Sequence, residues 1–304
     1  MKRICVIGSI NMDLVTVTPR FPRPGETLTG DSFGTFPGGK GANQAVACGR
    51  LGAQVAMIGK LGDDIFRRQY EDAFRSAGVR LDGIGVEPGE STGLAVIEVD
   101  RSGENHIIII PGANARMTPE VIELNRDIIE QSDIILLQLE IPLETVEAAA
   151  EMAHSLGKTV ILDPAPAREL PRSIYRYVDY ITPNETEVEI LSGVAVRDAK
   201  SALQAGRELC ARGVGTAVIK AGARGAFVVR DDKVEQLSGF EVAVVDTTAA
   251  GDSFNGGLAV ALARGYPLSR AIRFANAVGA LSTTAKGAQT AMPENSAVEA
   301  LISR

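Results

Sequence analysis

An α/β fold with a largely parallel sheet and helices on both faces is predicted by three features of this 304-residue sequence. Apolar runs of strand length recur along the chain. Segments with apolar residues at three-to-four spacing separate most of them. Two β-rich stretches interrupt the alternation without helical periodicity.

The first strand is expected over residues 2–8, where the run Ile4-Cys5-Val6-Ile7 closes on Gly8. Comparable runs at 55–59, 134–137, 159–163, 178–181, 217–220 and 242–245 predict further strands, and another is expected near 33–36. Helical spacing covers 43–51, 66–77, 119–131, 143–156, 199–211 and 268–284. Residues 13–36 and 90–110 are rich in β-branched residues, Gly and Pro. They predict a small strand subdomain over the open end of the sheet, outside the strand C-termini where ligands of such sheets bind. No repeat, low-complexity tract or long linker divides the chain, so one domain over 1–304 is expected, with the subdomain drawn from approximately 13–36 and 90–110.

Composition narrows the function classes. With 45% hydrophobic and 23% charged residues the chain can bury a large core. Its longest apolar runs, such as 107–110 and 134–137, fall far short of the ~20 residues of a membrane helix. Met1-Lys2-Arg3 leads straight into an apolar stretch with no small-residue cleavage site, so export is not expected. Cys5, Cys48 and Cys210 are odd in number and widely spaced in apolar sequence, which predicts reduced core thiols in a cytoplasm. A net charge of -7 argues against nucleic acid or an anionic membrane as main partner. A nucleotide stays compatible, because a metal ion, local cations and helix N-termini supply positive potential.

The strongest motif is Asp246-Thr247-Thr248-Ala249-Ala250-Gly251-Asp252-Ser253-Phe254-Asn255-Gly256-Gly257, read as following the 242–245 strand and opening an apolar helix. Unpaired N–H groups near Ala250, Gly251 and Asp252 would form an anion hole for a transferring phosphoryl group, with the Asp252 carboxylate beside the reacting oxygens. An Asp in a first helical turn also serves as a plain cap. The second motif, Gly38-Gly39-Lys40-Gly41-Ala42-Asn43-Gln44, permits close backbone approach to a ligand. Gly34, Gly39 and Lys40 have P-loop spacing, yet Gly41 stands where Ser or Thr must reach Mg2+, so Walker-type binding is rejected.

Thr182-Pro183-Asn184-Glu185-Thr186-Glu187 has the spacing of a capping box from Asn184 to Glu187. The same two side chains suit hydrated Mg2+, a hard ion held by few protein carboxylates plus substrate phosphates. Lys220-Ala221-Gly222-Ala223-Arg224-Gly225 follows a strand and offers backbone N–H groups to phosphates, or is simply a glycine turn between strands. Gly8-Ser9-Ile10-Asn11-Met12-Asp13 and Gln138-Leu139-Glu140 end two strands with amides and carboxylates, which suit a neutral polyol.

Together these motifs resemble the ribokinase family of ATP-dependent sugar kinases, the PfkB group, over essentially the whole chain. Gly38 to Asn43 and Ala249 to Asp252 match its two signatures, and Asn184 to Glu187 matches its metal-nucleotide motif. The resemblance implies a three-layer α/β/α sandwich with a mostly parallel central sheet and a β-strand lid that often pairs in a homodimer. It implies that Asn11, Asp13, Gly38, Gly39, Lys40, Asn43 and Glu140 line a D-ribose pocket, with Asp252 as base and Gly251 and Ala250 in the anion hole. Asn184, Glu187, Lys220, Gly222, Ala223, Gly225 and Gly251 would lie along ATP, with Asn276 near adenine. Mg2+ would accompany ATP through Asn184 and Glu187, by way of water. Potassium would act as activator beside Asp246, Thr248, Thr283, Lys286 and Gly287.

Three positions depart from the family pattern. Ala249 stands where Gly is frequent, Lys220 replaces a small hydroxyl residue, and Ala291 occupies the place of a serine potassium ligand. The implied reaction is transfer of the ATP γ-phosphoryl group to the ribose 5-hydroxyl. Fructose, deoxyribose or a nucleoside are alternative acceptors of the same class. A non-catalytic sugar- or nucleotide-binding regulator is the alternative outside it, opposed by the presence of Asp252, Lys40, Asn184 and Glu187 together. No Gly-x-Gly-x-x-Gly follows the first strand, which argues against a nicotinamide dehydrogenase.

Overall fold

The computed structural model describes residues 1–304. The N-terminal part runs β1 (Ile4–Ile7), β2 (Asn11–Val17), β3 (Ser32–Gly38), α1 (Lys40–Arg50), β4 (Val55–Gly62), α2 (Phe66–Ser76), β5 (Val79–Glu87), β6 (Gly93–Val99) and β7 (Asn105–Ile110). It continues through α3 (Pro119–Leu124), α4 (Arg126–Glu130), β8 (Ile134–Leu137), α5 (Leu143–Ser155), β9 (Thr159–Leu162), α6 (Arg172–Tyr175), β10 (Tyr180–Ile181), α7 (Glu185–Ser192) and α8 (Ala199–Ala211). The last part holds β11 (Thr216–Lys220), β12 (Ala226–Arg230), β13 (Lys233–Leu237), α9 (Ala250–Ala263), α10 (Leu268–Ser282) and α11 (Asn295–Ile302).

Nine strands form the main sheet in the order β13-β12-β11-β10-β9-β8-β1-β4-β5. Pairing is parallel from β11 through to β5 and antiparallel in the β11-β12-β13 hairpin edge. Strand alternation divides the core between the two faces. Ile4 and Val6 of β1 point into an apolar cluster with α1, α9 and α10, while Cys5 and Ile7 point into a second cluster with α5 and α8. A separate four-stranded sheet, β3-β2-β6-β7, is built from the two stretches that lack helical periodicity.

Helix α9 sits unusually close to its neighbours. A Cβ added at Gly256 would lie 2.6 Å from the Ala47 methyl of α1, and one at Gly257 would lie 2.9 Å from the Val278 side chain of α10. The glycines therefore bring the helix backbones together and leave α9 little room to shift.

Several expected boundaries move. Residues 242–245 form no strand: Val244 and Val245 are exposed, and the chain passes as an irregular segment whose Val245 and Asp246 N–H groups donate to the Thr283 carbonyl. The helix expected over 119–131 breaks at Asn125, whose side chain donates to the Val121 carbonyl and competes with the helical ladder. Strand β5 and the hairpin β12-β13 escape the apolar-run reading. The first is half-exposed at the sheet edge, and the second turns through Asp231 and Asp232 in left-handed conformation. Cys5 and Cys48 are buried free thiols as expected, whereas Cys210 is only half-buried.

Candidate active site

The site lies at the C-terminal ends of the parallel strands, where β1, β8 and β9 meet the N-termini of α1 and α9. Asn11 and Asp13 share one face of β2 by strand alternation. Asn114 fixes the Asn11 amide: its Nδ2 donates to Asn11 Oδ1 at 2.7 Å and to the Ile10 carbonyl at 3.1 Å, while its Oδ1 accepts from Ile10 N at 2.9 Å. Asn11 is thereby left with its NH2 group for a ligand. Tyr70 braces the same place, donating to the Asn11 carbonyl at 2.6 Å and to the Gly38 carbonyl.

Gly39 caps α1 with φ 83°, and a Cβ there would come within 2.6 Å of Asn11 N. Only glycine supplies that conformation in that space. The turn aims Lys40, Asn43 and Gln44 into the site. Glu140 Oε2 accepts from Ser9 Oγ at 2.5 Å and from Lys40 N at 3.0 Å, closing the floor.

Asp252, in the first turn of α9, is buried. Its Oδ2 accepts from Asn43 Nδ2 at 3.0 Å and its Oδ1 from Gln44 Nε2 at 3.2 Å. Burial pushes its carboxyl up to about 6, with Lys40 opposing, Asp163 adding and the two amides lowering it. Burial likewise raises Asp13 to about 7, with Glu140 and Asp252 adding to the effect. Burial alone would lower Lys40, but Asp252, Asp163, Glu140 and Glu187 hold its ammonium well above the usual range. This side of the site is thus a carboxylate-rich pocket around one firmly charged lysine.

The start of α9 supplies the opposite polarity. Ala249 holds φ 58°, a left-handed turn costing roughly 1 kcal/mol for a residue with a Cβ. Ala250 N donates to the Thr247 carbonyl at 3.2 Å, so it belongs to the turn and not, as expected, to the anion hole. The N–H groups of Gly251 and Asp252 have no acceptor within the fold. Lys220 Nζ points at them, 3.4 Å from where a Cβ on Gly251 would lie, and it pairs with Asp163 Oδ1 at 2.8 Å. A cavity joins Lys40, Asp163, Asn184, Glu187, Lys220 and Asp252.

Asn184 and Glu187 form a complete capping box on α7, with Asn184 Oδ1 accepting from Glu187 N at 2.8 Å and Glu187 Oε2 from Asn184 N at 2.7 Å. Burial raises the Glu187 carboxyl, and the Lys220 charge opposes it. Both residues still face the cavity, and Glu187 Oε1 is not used by the box, which suits a hydrated hard cation.

Beyond Lys220 a larger groove runs over Gly222, Ala223 and Gly225 to Phe240, Val244 and Asn276. The Asn276 amide donates to the Leu237 and Ser238 carbonyls at 2.9 and 3.1 Å, pinning one wall and leaving only its oxygen for a ligand. Under the groove, Asp246 Oδ1 accepts from Thr248 N and Oγ1 at 2.9 and 2.6 Å, and Oδ2 from Gly287 N at 2.9 Å. These bonds hold its carboxyl below the usual range although burial alone would raise it. The Thr283 carbonyl already accepts two N–H groups, and the Lys286 carbonyl accepts from Thr290 Oγ1 at 3.3 Å.

Four participants have no individual role in the sequence reading: Ser9, Gln44, Asn114 and Asp163. Gln44 closes the second motif, and Asp163 ends a predicted strand at the side where ligands bind. Those two positions are the only local signal that either residue belongs to the site.

Residues 1–295 match the family described as pfkB family carbohydrate kinase. The chain is 46% identical to Haemophilus influenzae ribokinase over 96% of its own length and 95% of the relative. It is 42% identical to Bacillus subtilis ribokinase over 100% of both chains. The structure of Arabidopsis thaliana ribokinase complexed with ribose and ATP superposes with a TM-score of 0.95 at 33% identity, covering 100% of this chain and 99% of that one.

Proposed function

The chain belongs to the pfkB family of carbohydrate kinases, and from that premise we propose that it phosphorylates D-ribose at the 5-hydroxyl with ATP as donor. One observation carries the chemistry: a buried Asp252 carboxylate held by Asn43 and Gln44, next to the unpaired N–H groups of Gly251 and Asp252. Carboxylate and donors come from the same helical turn, so a hydroxyl oriented by one meets a phosphoryl group held by the other.

Asn11, Asp13, Lys40, Asn43 and Glu140 bind the ribose hydroxyls, with Gly38 and Gly39 allowing close approach. Asp252 accepts the hydroxyl proton late in a loose transition state, where its main contribution is positioning. The Gly251 and Asp252 N–H groups, with Lys220 and Lys40, stabilise the charge on the transferring group. Lys220 must release or share Asp163 as it turns to phosphate. The nucleotide lies along Gly222, Ala223 and Gly225, its base between Phe240, Val244 and Asn276.

A divalent metal accompanies ATP. We assign Mg2+, which Asn184 and Glu187 would hold through water and which would supply neutralisation of phosphate charge. For potassium we retain Asp246 with backbone near Thr248, Lys286 and Gly287. Thr283 is less suited, since its carbonyl is committed to the loop. Ala291 offers no hydroxyl, a gap that water can fill.

The four-stranded sheet acts as a lid within a single kinase domain spanning residues 1–304. Its edge strand β7 exposes Ile107, Ile108, Ile109 and Ile110 at 42–64%, which supports a homodimer through the lid. No helix is long and apolar enough to cross a membrane. The three free thiols agree with a cytoplasmic setting. Measuring ATP-to-ADP conversion with ribose, deoxyribose, fructose and nucleosides tests the reading. Ribose should give the highest kcat/KM, and turnover confined to another acceptor would reject it.

A further inference from the structure

Gln44 is buried between two carboxylates and bonded through every polar atom of its side chain. Its Nε2 donates to Asp163 Oδ2 at 2.9 Å and to Asp252 Oδ1 at 3.2 Å. Its Oε1 accepts from Gln138 Nε2 at 2.7 Å. That last bond fixes which end of the amide faces the acids, since a flipped amide would set an oxygen against two carboxylates. Gln138 is itself buried, and its own Oε1 has no partner. Its one bond into the network is therefore the one that orients Gln44. On the far side Asp163 holds Lys220, so an unbroken chain runs Gln138–Gln44–Asp163–Lys220 with Asp252 as a branch.

We propose that Gln44, oriented by Gln138, is a positioning residue that keeps Asp252 ionised and aimed at the acceptor hydroxyl while tethering the carboxylate that docks Lys220. The inference rests on Asp252 being the base of the proposed reaction. The charged groups facing Asp252 are Lys40 on α1, Asp163 after β9 and Asp13 on β2, with Lys220 and Glu187 across the cavity. Lys40 favours the ionised form, and Asp163 and Asp13 oppose it. Gln44 is the neutral group that separates the two acids Asp163 and Asp252 by donating to both. Asn43 alone donates to the other Asp252 oxygen.

The test is the pH profile of kcat/KM for ribose at saturating MgATP, with Asp252→Asn, Gln44→Leu and Gln138→Met beside the parent enzyme. Removing the Gln44 donor favours the protonated carboxyl, so the acid limb should move to higher pH. A displacement of about one unit makes the loss at pH 6 about fivefold greater than the loss at pH 8.5. Gln138→Met should move the limb in the same direction by less, because the amide is then free to flip. ATP protonation is common to all the enzymes and cancels in the comparison. A folded Gln44→Leu enzyme whose activity falls equally at every pH is merely structurally damaged, and that result overturns the proposal. Should Gln44→Leu fail to fold, an unmoved limb in Gln138→Met overturns it instead. High residual turnover in Asp252→Asn would instead remove the base reading itself, whatever Gln44 does.

Discussion

On the proposed acceptor side of Asp252, polar side chains are tied to one another: Asn114 holds Asn11, Glu140 holds Ser9 and the α1 N-terminus, and Asn43 and Gln44 hold the Asp252 carboxylate. Between Lys220 and Thr283 the wall is mostly backbone, small residues and apolar side chains, and part of it is an exposed irregular segment. The first side arrives ready-made and selects by the cost of leaving buried partners unmet. The second accepts a flat base and a phosphate chain through surfaces that many nucleotides match. On the proposed reading, substrate choice is concentrated in one half of the site, and donor binding is spread thinly through the other.

Changes on the two sides should differ in size and in kind. Asp252→Asn is expected to lower kcat by at least ~100-fold with ATP binding retained, as measured by steady-state kinetics and nucleotide titration. Asp13→Ala should raise the ribose KM by roughly 30-fold, about 2 kcal/mol of unmet hydrogen bonding, while the ATP KM stays within about twofold. Equal losses for both substrates would erase the contrast.

Acidification should act most strongly on the acceptor side, although burial raises the Glu187 carboxyl as well. Burial pushes the Asp252 and Asp13 carboxyls up to about 6 and about 7, and a protonated carboxyl cannot accept from a ribose hydroxyl in the same way. From pH 8 to pH 5.5 kcat/KM for ribose should fall at least tenfold, with a smaller loss of ADP binding. Both folded values lie above the unfolded one, so these carboxylates weaken the fold progressively as pH rises from about 4 to 7.

On the donor side, Phe240→Ala should raise the ATP KM only about threefold to fivefold, through lost apolar contact, without altering the ranking of acceptors. The smallest effect concerns potassium. Replacing it with a bulky organic cation at constant ionic strength should lower activity by about twofold, by loosening the turn before Asp252, and Ala291→Ser should reduce the potassium concentration needed. Equal rates in both cations would show that Asp246 only braces its loop.

What can be read from the sequence follows the range of the forces involved. Gly39 before Lys40, and the small residues before Asp252, announce helix starts whose geometry is local, so both motifs stand where they are expected. The Asn184–Glu187 capping box is local as well. Gln44 meets Asp252 across 208 positions and Asp163 across 119, and no local pattern announces either pairing. The run at 242–245 misleads for a different reason. Its apolar residues border a ligand groove and solvent instead of a strand, and periodicity alone cannot tell these neighbours apart. The buried state of Cys5 and Cys48 follows from their apolar context, while Cys210, in a similar context, sits at a half-open helix end.

The seam of Gly256 and Gly257 also constrains how such an enzyme can diversify. With α9 pressed against α1 and α10 at nearly bare backbone, Asp252 cannot be moved to suit a larger or smaller acceptor without unseating the helix. A lineage seeking a new sugar must therefore change the opposite wall, the β2 strand and the small sheet that carries it. That wall can vary in residue and reach while the helix that carries Asp252 stays fixed.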